Sequence, residues 1–230
     1  MNPVIQAQGL TRIYTQGEIE VHALRGVDLR VHSGELTALV GPSGSGKSTL
    51  LNLIGCLDRP TAGTLEVDGQ DISPFSRTAA AQFRLERLGF VFQAYNLLPV
   101  LTAYENAEYT LLLRGLNPRE RREIVEPLME RVGLADMMNR RPHELSGGQQ
   151  QRVAVVRALA AKPCLILADE PTANLDTATT GGMLDLLVEL NENDGMTFLL
   201  ASHDKRVVER ARRVVHLEDG LICADERRDS

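Results

Sequence analysis

Between residues 4 and 40 the apolar side chains first alternate with polar ones and then run together. The stretches "VIQAQGLTRIY" and "VHALRGVDLRVHSGELTALVG" carry Val, Leu and Ile at a spacing near two, the period of a half-buried strand, and end in the run "LTALV" at 36–40. That pattern predicts antiparallel strands leading into one buried strand. Beyond it "GKSTLLNLIGCL" reads as a helix, and "GTLEVDGQDI" as a hairpin turning at Asp68 and Gly69. Residues 76–87 read as a further helix and "LGFVF" at 88–92 as a short buried strand.

From about 94 to 161 the period changes. "TAYENAEYTLLLRG", "PRERREIVEPLMERVG" and "GGQQQRVAVVRALAA" have helical apolar spacing, and no strand is expected among them. Strand and helix alternate again through "CLILADEP", "ATTGGMLDLLVELNEN", "TFLLASHD", "KRVVERAR" and "RVVHLEDG". The chain therefore reads as one α/β domain. Residues 1–93 and 162–230 form a parallel-sheet core with an antiparallel β subdomain, and 94–161 form an inserted helical lobe.

Composition narrows the partners. An apolar content of 43% is ordinary for a globular core, and a formal charge of −6 gives no global basic footprint, so no nucleic-acid partner is expected. Cys56, Cys164 and Cys223 are an odd, widely spaced set without a CxxC pair. They are expected to be reduced thiols that serve as packing residues. The start "MNPVIQAQGL" has no charged segment followed by an apolar stretch, and no run reaches the ~18–20 apolar residues of a membrane-spanning helix.

Two stretches carry chemistry. "GPSGSGKS" fits G-x-x-x-x-G-K-[ST], with the strand before and the helix after that the pattern requires. In such a loop, Gly41, Pro42, Ser43, Gly44, Ser45, Gly46, Lys47, Ser48 and Thr49 would wrap phosphate oxygens with backbone N–H groups. Lys47 would reach the β- and γ-phosphates, and the Ser48 hydroxyl would ligate Mg²⁺. "LILADEP" at 165–171 is a buried strand that delivers Asp169 and Glu170 at its carboxyl end, where open α/β sheets bind ligands. Asp169 is expected to hold Mg²⁺, and Glu170 to orient the attacking water as general base.

With "LSGGQ" at 145–149 and "NLD" at 174–176, these motifs resemble the ATP-binding subunits of ABC transporters over essentially the whole chain. "LIGCLDRPTAG", "GFVFQAYNLLP" and "LADEPTANLD" are similar to the macrolide-efflux and lipoprotein-release branch, the MacB and LolD group. The resemblance implies a phosphate-loop NTPase core of RecA-like type, with ATP and Mg²⁺ as ligands. It implies that Tyr14 stacks on adenine, that Gln93 completes the Mg²⁺ shell and senses the γ-phosphate, and that His203 contacts the γ-phosphate. His22, His32, His143 and His216 are expected to be surface or packing residues.

Ser146 can cap the helix after "LSGGQ", leaving Gly147 and Gly148 to present N–H groups to an anion. By resemblance, Ser146, Gly147, Gly148 and Gln149 bind ATP held by a second copy of the chain, and Asp176 crosses towards that copy. Two head-to-tail chains would then close on two ATP molecules and reopen after hydrolysis. They would drive a separate integral membrane permease from the cytoplasmic face of the cell membrane. Gln93 and "AYNLLPVLTAYEN" are the expected coupling groove. A soluble relative acting on DNA or ribosomes is the alternative. It is disfavoured by the short interval between the phosphate loop and "LSGGQ" and by the acidic balance.

Overall fold

The computed structural model describes residues 3–17 and 19–228. The alternating N-terminal stretches form two long strands, β1 (Pro3–Gln16) and β2 (Ile19–His32), paired antiparallel. β4 (Ala62–Val67) and β5 (Gln70–Asp71) complete a four-stranded antiparallel sheet in the order β2-β1-β4-β5. Asp68 and Gly69 turn that last hairpin at φ 52° and 72°, the left-handed backbone that a two-residue primed turn requires.

The second sheet is built on the buried runs. β3 (Leu36–Val40), β6 (Leu88–Phe92), β7 (Leu165–Asp169), β8 (Phe198–Ala201) and β9 (Arg213–Glu218) lie parallel, and β10 (Leu221–Arg227) closes one edge antiparallel to β9. The order is β10-β9-β3-β8-β7-β6. Alternate residues of each central strand feed different cores, which is why these strands read as unbroken apolar runs. Ala38, Ile166 and Leu200 pack on the helical side. Leu39, Leu167 and Leu199 pack towards α1 (Lys47–Ile54) and the antiparallel sheet. β10 was not expected from the sequence. It is an edge strand, largely exposed, whose apolar residues Leu221–Ala224 run together before three charged ones, and it offers little apolar alternation to read.

Between β5 and β6 lies α2 (Arg77–Arg87), capped by Ser76. Between β6 and β7 the chain is helical, as its periodicity predicts: α3 (Ala103–Leu113), α4 (Pro118–Arg131) and α5 (Gly147–Ala160). Thr102, Asn117 and Ser146 each form a capping box with the Glu or Gln three positions on, so all three helices start where side chains replace missing backbone partners. α6 (Thr177–Asp194) and α7 (Lys205–Arg210) follow β7 and β8. Among the described residues no helix is long and apolar enough to cross a membrane.

The three thiols are free. Burial pushes Cys56 and Cys164 up to about 11, so both are held as neutral packing groups. Cys223 departs from the expectation. It stands on the outer face of β10, exposed, with only a thiol contact of 3.4 Å to the His216 carbonyl.

Candidate functional site

Four parallel strands deliver their next residues to one edge of the sheet. Gly41 follows β3, Gln93 follows β6, Glu170 follows β7 and Ser202 follows β8. Carboxyl ends of parallel strands in an open sheet make a crevice, and here they surround a cleft of about 640 Å³. Residues 41–44 and 46–49 line it, facing Gln93, Glu170 and His203.

The phosphate loop owes its shape to local sterics. Gly46 caps α1 at φ 105°, and a Cβ there would lie 2.6 Å from the Ala23 carbonyl oxygen. Only glycine lets β2 pass so close to the loop. Ser45 lies beneath the loop at 2% exposure, and its Oγ has no hydrogen-bond partner. The Lys47 ammonium donates to the carbonyls of Gly41 at 2.8 Å and Pro42 at 2.9 Å, which draws it across the loop mouth. An ammonium has three protons, so one donor is not used by these bonds.

On the opposite wall the Ser48 hydroxyl donates to Asp169 Oδ1 at 3.2 Å. Burial, reinforced by neighbouring Glu170, raises the Asp169 carboxyl above its ordinary range, while Ser48 and Lys47 oppose that shift. A half-buried carboxylate beside a hydroxyl and a second acid suits a hard cation with oxygen ligands. The orphaned Ser45 hydroxyl and the free helix N-terminus suit phosphate oxygens equally well. These residues fit Mg²⁺ and a nucleoside triphosphate.

Glu170 is the most tightly held acid of the cleft. Its backbone has φ 47°, an uncommon region for a non-glycine residue, and its amide donates to the Ala201 carbonyl at 2.9 Å. Oε1 accepts from His203 Nδ1 at 2.8 Å, and Oε2 accepts from the Ser202 hydroxyl at 3.1 Å. A carboxylate only accepts, so Nδ1 of His203 carries the proton in this contact. Ser202 is fully buried and also accepts from the Asp204 amide. Sequence reasoning passed over Ser202. Its one signal is its place directly before His203 at the end of an apolar strand. Val21, His22 and Ala23 of β2 also line the cleft, so His22, exposed as expected of a surface histidine, stands at its rim beside the phosphate loop. Exposed His143 stays on the surface.

Other expected residues lie outside this cleft. Tyr14 pairs across the strands with Val21, but its ring packs under the Arg12 guanidinium at 4.4 Å, and its hydroxyl donates to Asp58 at 2.8 Å. Against the cost of burial, the Arg59 amide, Tyr14 hydroxyl and Arg12 guanidinium hold the Asp58 carboxyl below its ordinary range. Ser146 caps α5 as expected, accepting from the Gln149 amide at 3.3 Å, and Gln149 Oε1 accepts from the Ser146 amide at 2.9 Å. Gly147 and Gly148 have a reason within the chain itself. A Cβ on Gly147 would stand 2.8 Å from the Tyr95 hydroxyl, and one on Gly148 2.2 Å from the Thr179 methyl. Asp176 caps α6, and bonds from the Thr179 hydroxyl and amide pull its carboxyl below the ordinary range.

Comparison with known proteins meets this geometry directly. The sequence profile of the ABC transporter family matches residues 24–173. The chain belongs to the ABC transporter family. It is 49% identical over 224 residues to the lipoprotein-releasing system ATP-binding protein LolD of Anaeromyxobacter dehalogenans, covering 97% of this chain and 94% of that protein. It is 48% identical over 223 residues to the macrolide export ATP-binding/permease protein MacB of Hyphomonas neptunium, covering 97% of this chain but 34% of that longer protein. A dimeric structure of the ATP-binding cassette MJ0796 in a post-hydrolysis state with ADP and Pi superposes with a TM-score of 0.91 at 40% identity, covering 98% of this chain and 99% of that one. As a member of this family the chain is an ATP-binding, ATP-hydrolysing cassette that works with Mg²⁺.

Proposed function

We propose that this ABC cassette hydrolyses ATP through Glu170 in a dimer of two head-to-tail copies, and that the dimer drives a separate integral membrane permease of the efflux or lipoprotein-release type. The core comprises residues 1–93 and 162–230, and the helical lobe 94–161. The observation that carries the reading is Glu170, fixed by His203 and Ser202 and facing the phosphate loop across one cleft.

Lys47 and the amides of residues 41–49 bind the phosphates, and the α1 dipole favours their charge. Ser48, Asp169 and Gln93 would hold Mg²⁺, which would supply charge neutralisation for the phosphates. Glu170 takes a proton from water as its oxygen attacks the γ-phosphorus. The bond to the bridging oxygen breaks, and its electron pair leaves with ADP. A carboxylate has about four lone-pair sites, so the two bonds to His203 and Ser202 leave room for water. His203 holds Glu170 and, from its place on the cleft lining, contacts the γ-phosphate in this reading. Tyr14 offers the ring face away from Arg12 to adenine. Ser146, Gly147, Gly148 and Gln149 contact the partner copy's ATP, and Asp176 orders the adjoining loop at that interface.

The dimer sits on the cytoplasmic face of the membrane, held there by the permease. Gln93 and residues 94–106 are the reading's coupling groove; of these only Asn96 lines a depression of about 380 Å³ between α2, β6, α3 and α5, with Phe92 and Tyr109. No observation favours action on DNA or ribosomes. The test is Glu170→Gln, which keeps size and removes the base. The variant should bind Mg·ATP, lose phosphate release by about 10²–10⁴-fold, and elute as a dimer only with ATP. Wild-type turnover in the variant would remove Glu170 from the mechanism, and a monomer at saturating Mg·ATP would remove the closed dimer.

A further inference from the structure

We propose that Arg12, held by Asp58, is a positioning residue for the nucleotide: it braces the Tyr14 ring from one side, in the orientation that adenine needs on the other. This role rests on the stacking proposed above for Tyr14 and adds the groups that fix its platform. Tyr14 pairs across the strands with Val21, which lines the phosphate cleft, so the ring is carried beside that cleft. The Arg12 guanidinium lies 4.4 Å from the ring centroid and covers one face. Tyr14 keeps 37% of its surface exposed, which leaves the opposite face open to a base.

An exposed tyrosine left alone turns about two side-chain torsions and presents its edge as readily as its face. A guanidinium against the ring removes that freedom only if it is itself fixed. Asp58 fixes it: Oδ2 accepts from Arg12 Nε at 2.8 Å and Oδ1 from Nη2 at 2.9 Å, the two-pronged geometry that sets the plane of an arginine. The same carboxylate accepts from the Tyr14 hydroxyl at 2.8 Å and from the Arg59 amide at 2.7 Å. A carboxylate has about four acceptor sites, so these bonds leave Asp58 none for a ligand. Arg12 and Asp58 are both half-buried, and their bidentate contact escapes the weakness of an ordinary surface ion pair.

The place of Asp58 in the chain gives this clasp its reach. The amides of Leu57 and Asp58 donate to the Asn52 carbonyl of α1 at 2.8 and 3.2 Å. Asp58 therefore stands just beyond the far end of the helix whose first residues, Lys47 and Ser48, line the phosphate cleft. A base platform pinned at one end of α1 and a phosphate cradle at the other are held at a fixed span. A ligand that uses both depends on the clasp, and one that uses only the phosphate cradle does not.

The test is calorimetric titration of the full chain with Mg·ADP and, separately, with inorganic tripolyphosphate. Arg12→Ala and Asp58→Asn should each weaken Mg·ADP about five- to twentyfold, the scale of lost base stacking, and leave tripolyphosphate within about twofold of wild type. Arg12→Lys keeps a cation but loses the fork, and should fall between. In phosphate release, the KM for ATP should rise by the same factor while kcat is kept. Placed in a Tyr14→Ala background, neither change should weaken Mg·ADP further, because no ring remains to brace, whereas a merely structural clasp would add its own loss. Parallel weakening of Mg·ADP and tripolyphosphate, unchanged Mg·ADP affinity in both variants, or additive losses in the Tyr14→Ala background would overturn the proposal. Tyr14→Ala alone separates bracing from stacking. If it weakens Mg·ADP while Arg12→Ala and Asp58→Asn do not, bracing fails and stacking stands; if it leaves Mg·ADP unchanged, stacking fails and bracing with it.

Discussion

Ser202→Ala tests the geometry around Glu170 most directly. The serine is fully buried and does two things: its hydroxyl donates to Glu170 Oε2 at 3.1 Å and accepts from the Asp204 amide at 3.1 Å. Alanine removes both contacts while leaving the His203 bond at 2.8 Å and the backbone bond from Glu170 to Ala201. A hydrogen bond to a charged group contributes about 1.5–3 kcal/mol. If most of that term orients the carboxylate towards water, kcat falls about 10–100-fold at ~1.4 kcal/mol per decade. The Asp204 amide is half-buried, and water can replace part of its bond, so the fold should lose only about 1 kcal/mol. That is a fall in Tm of about 2–4 °C for a chain of this size. Single-turnover phosphate release reads kcat, and a fluorescent ATP analogue reads affinity, which should stay near the wild-type value. Ser202→Thr keeps the hydroxyl and should restore most of the rate. A kcat within about twofold of wild type in Ser202→Ala, or a threonine variant as slow as alanine, would refute the positioning role.

Asp169→Asn should raise Tm without nucleotide but abolish stabilisation by Mg·ATP in a thermal melt. The folded carboxyl pKa is raised, chiefly by burial, so its stability contribution is full below the ordinary Asp range and is lost as pH rises through the raised value. The gain in the variant should therefore appear only above that window, and equal melts at every pH would sink the idea. Gly148→Ala should cost about 1–3 kcal/mol by forcing its Cβ onto the Thr179 methyl. Adding Thr179→Ser, which removes that methyl and keeps the hydroxyl bonded to Asp176, should recover most of the loss in denaturant titration. No recovery would contradict the contact. Tyr14→Ala should weaken ATP binding but not inorganic tripolyphosphate binding, whereas Tyr14→Phe keeps the ring, loses only the bond to Asp58 and should bind ATP much as wild type does. Equal weakening of ATP and tripolyphosphate by Tyr14→Ala would show that the ring is not an adenine platform.

What the sequence determined by itself is what local chemistry dictates. A strand buried on both faces has to be apolar at every position, so β3, β7 and β8 were legible as runs. The phosphate loop needs glycine where β2 crowds it, and Lys47 and Ser48 where the helix begins. Capping boxes at Thr102, Asn117 and Ser146 lie within three residues, so the helical stretch from 94 to 161 could be read from its period. β10 escaped because an exposed edge strand has no face that must be apolar.

The tertiary structure decided what depends on register and on close approach between distant segments. Parallel pairing sets Asp169 opposite Ala201, so the next residues, Glu170 and Ser202, leave the sheet side by side and can bond. Nothing in either strand's composition encodes that register. The same holds for Ser48 on Asp169, for His22 at the cleft rim, and for the grip of Arg157 on the carbonyls of Tyr95 and Asn96. Sequence names the groups, because backbone sterics and burial act on each residue where it stands. Only the fold fixes which groups meet, because a hydrogen bond is made or lost within an ångström of separation that chain order does not specify.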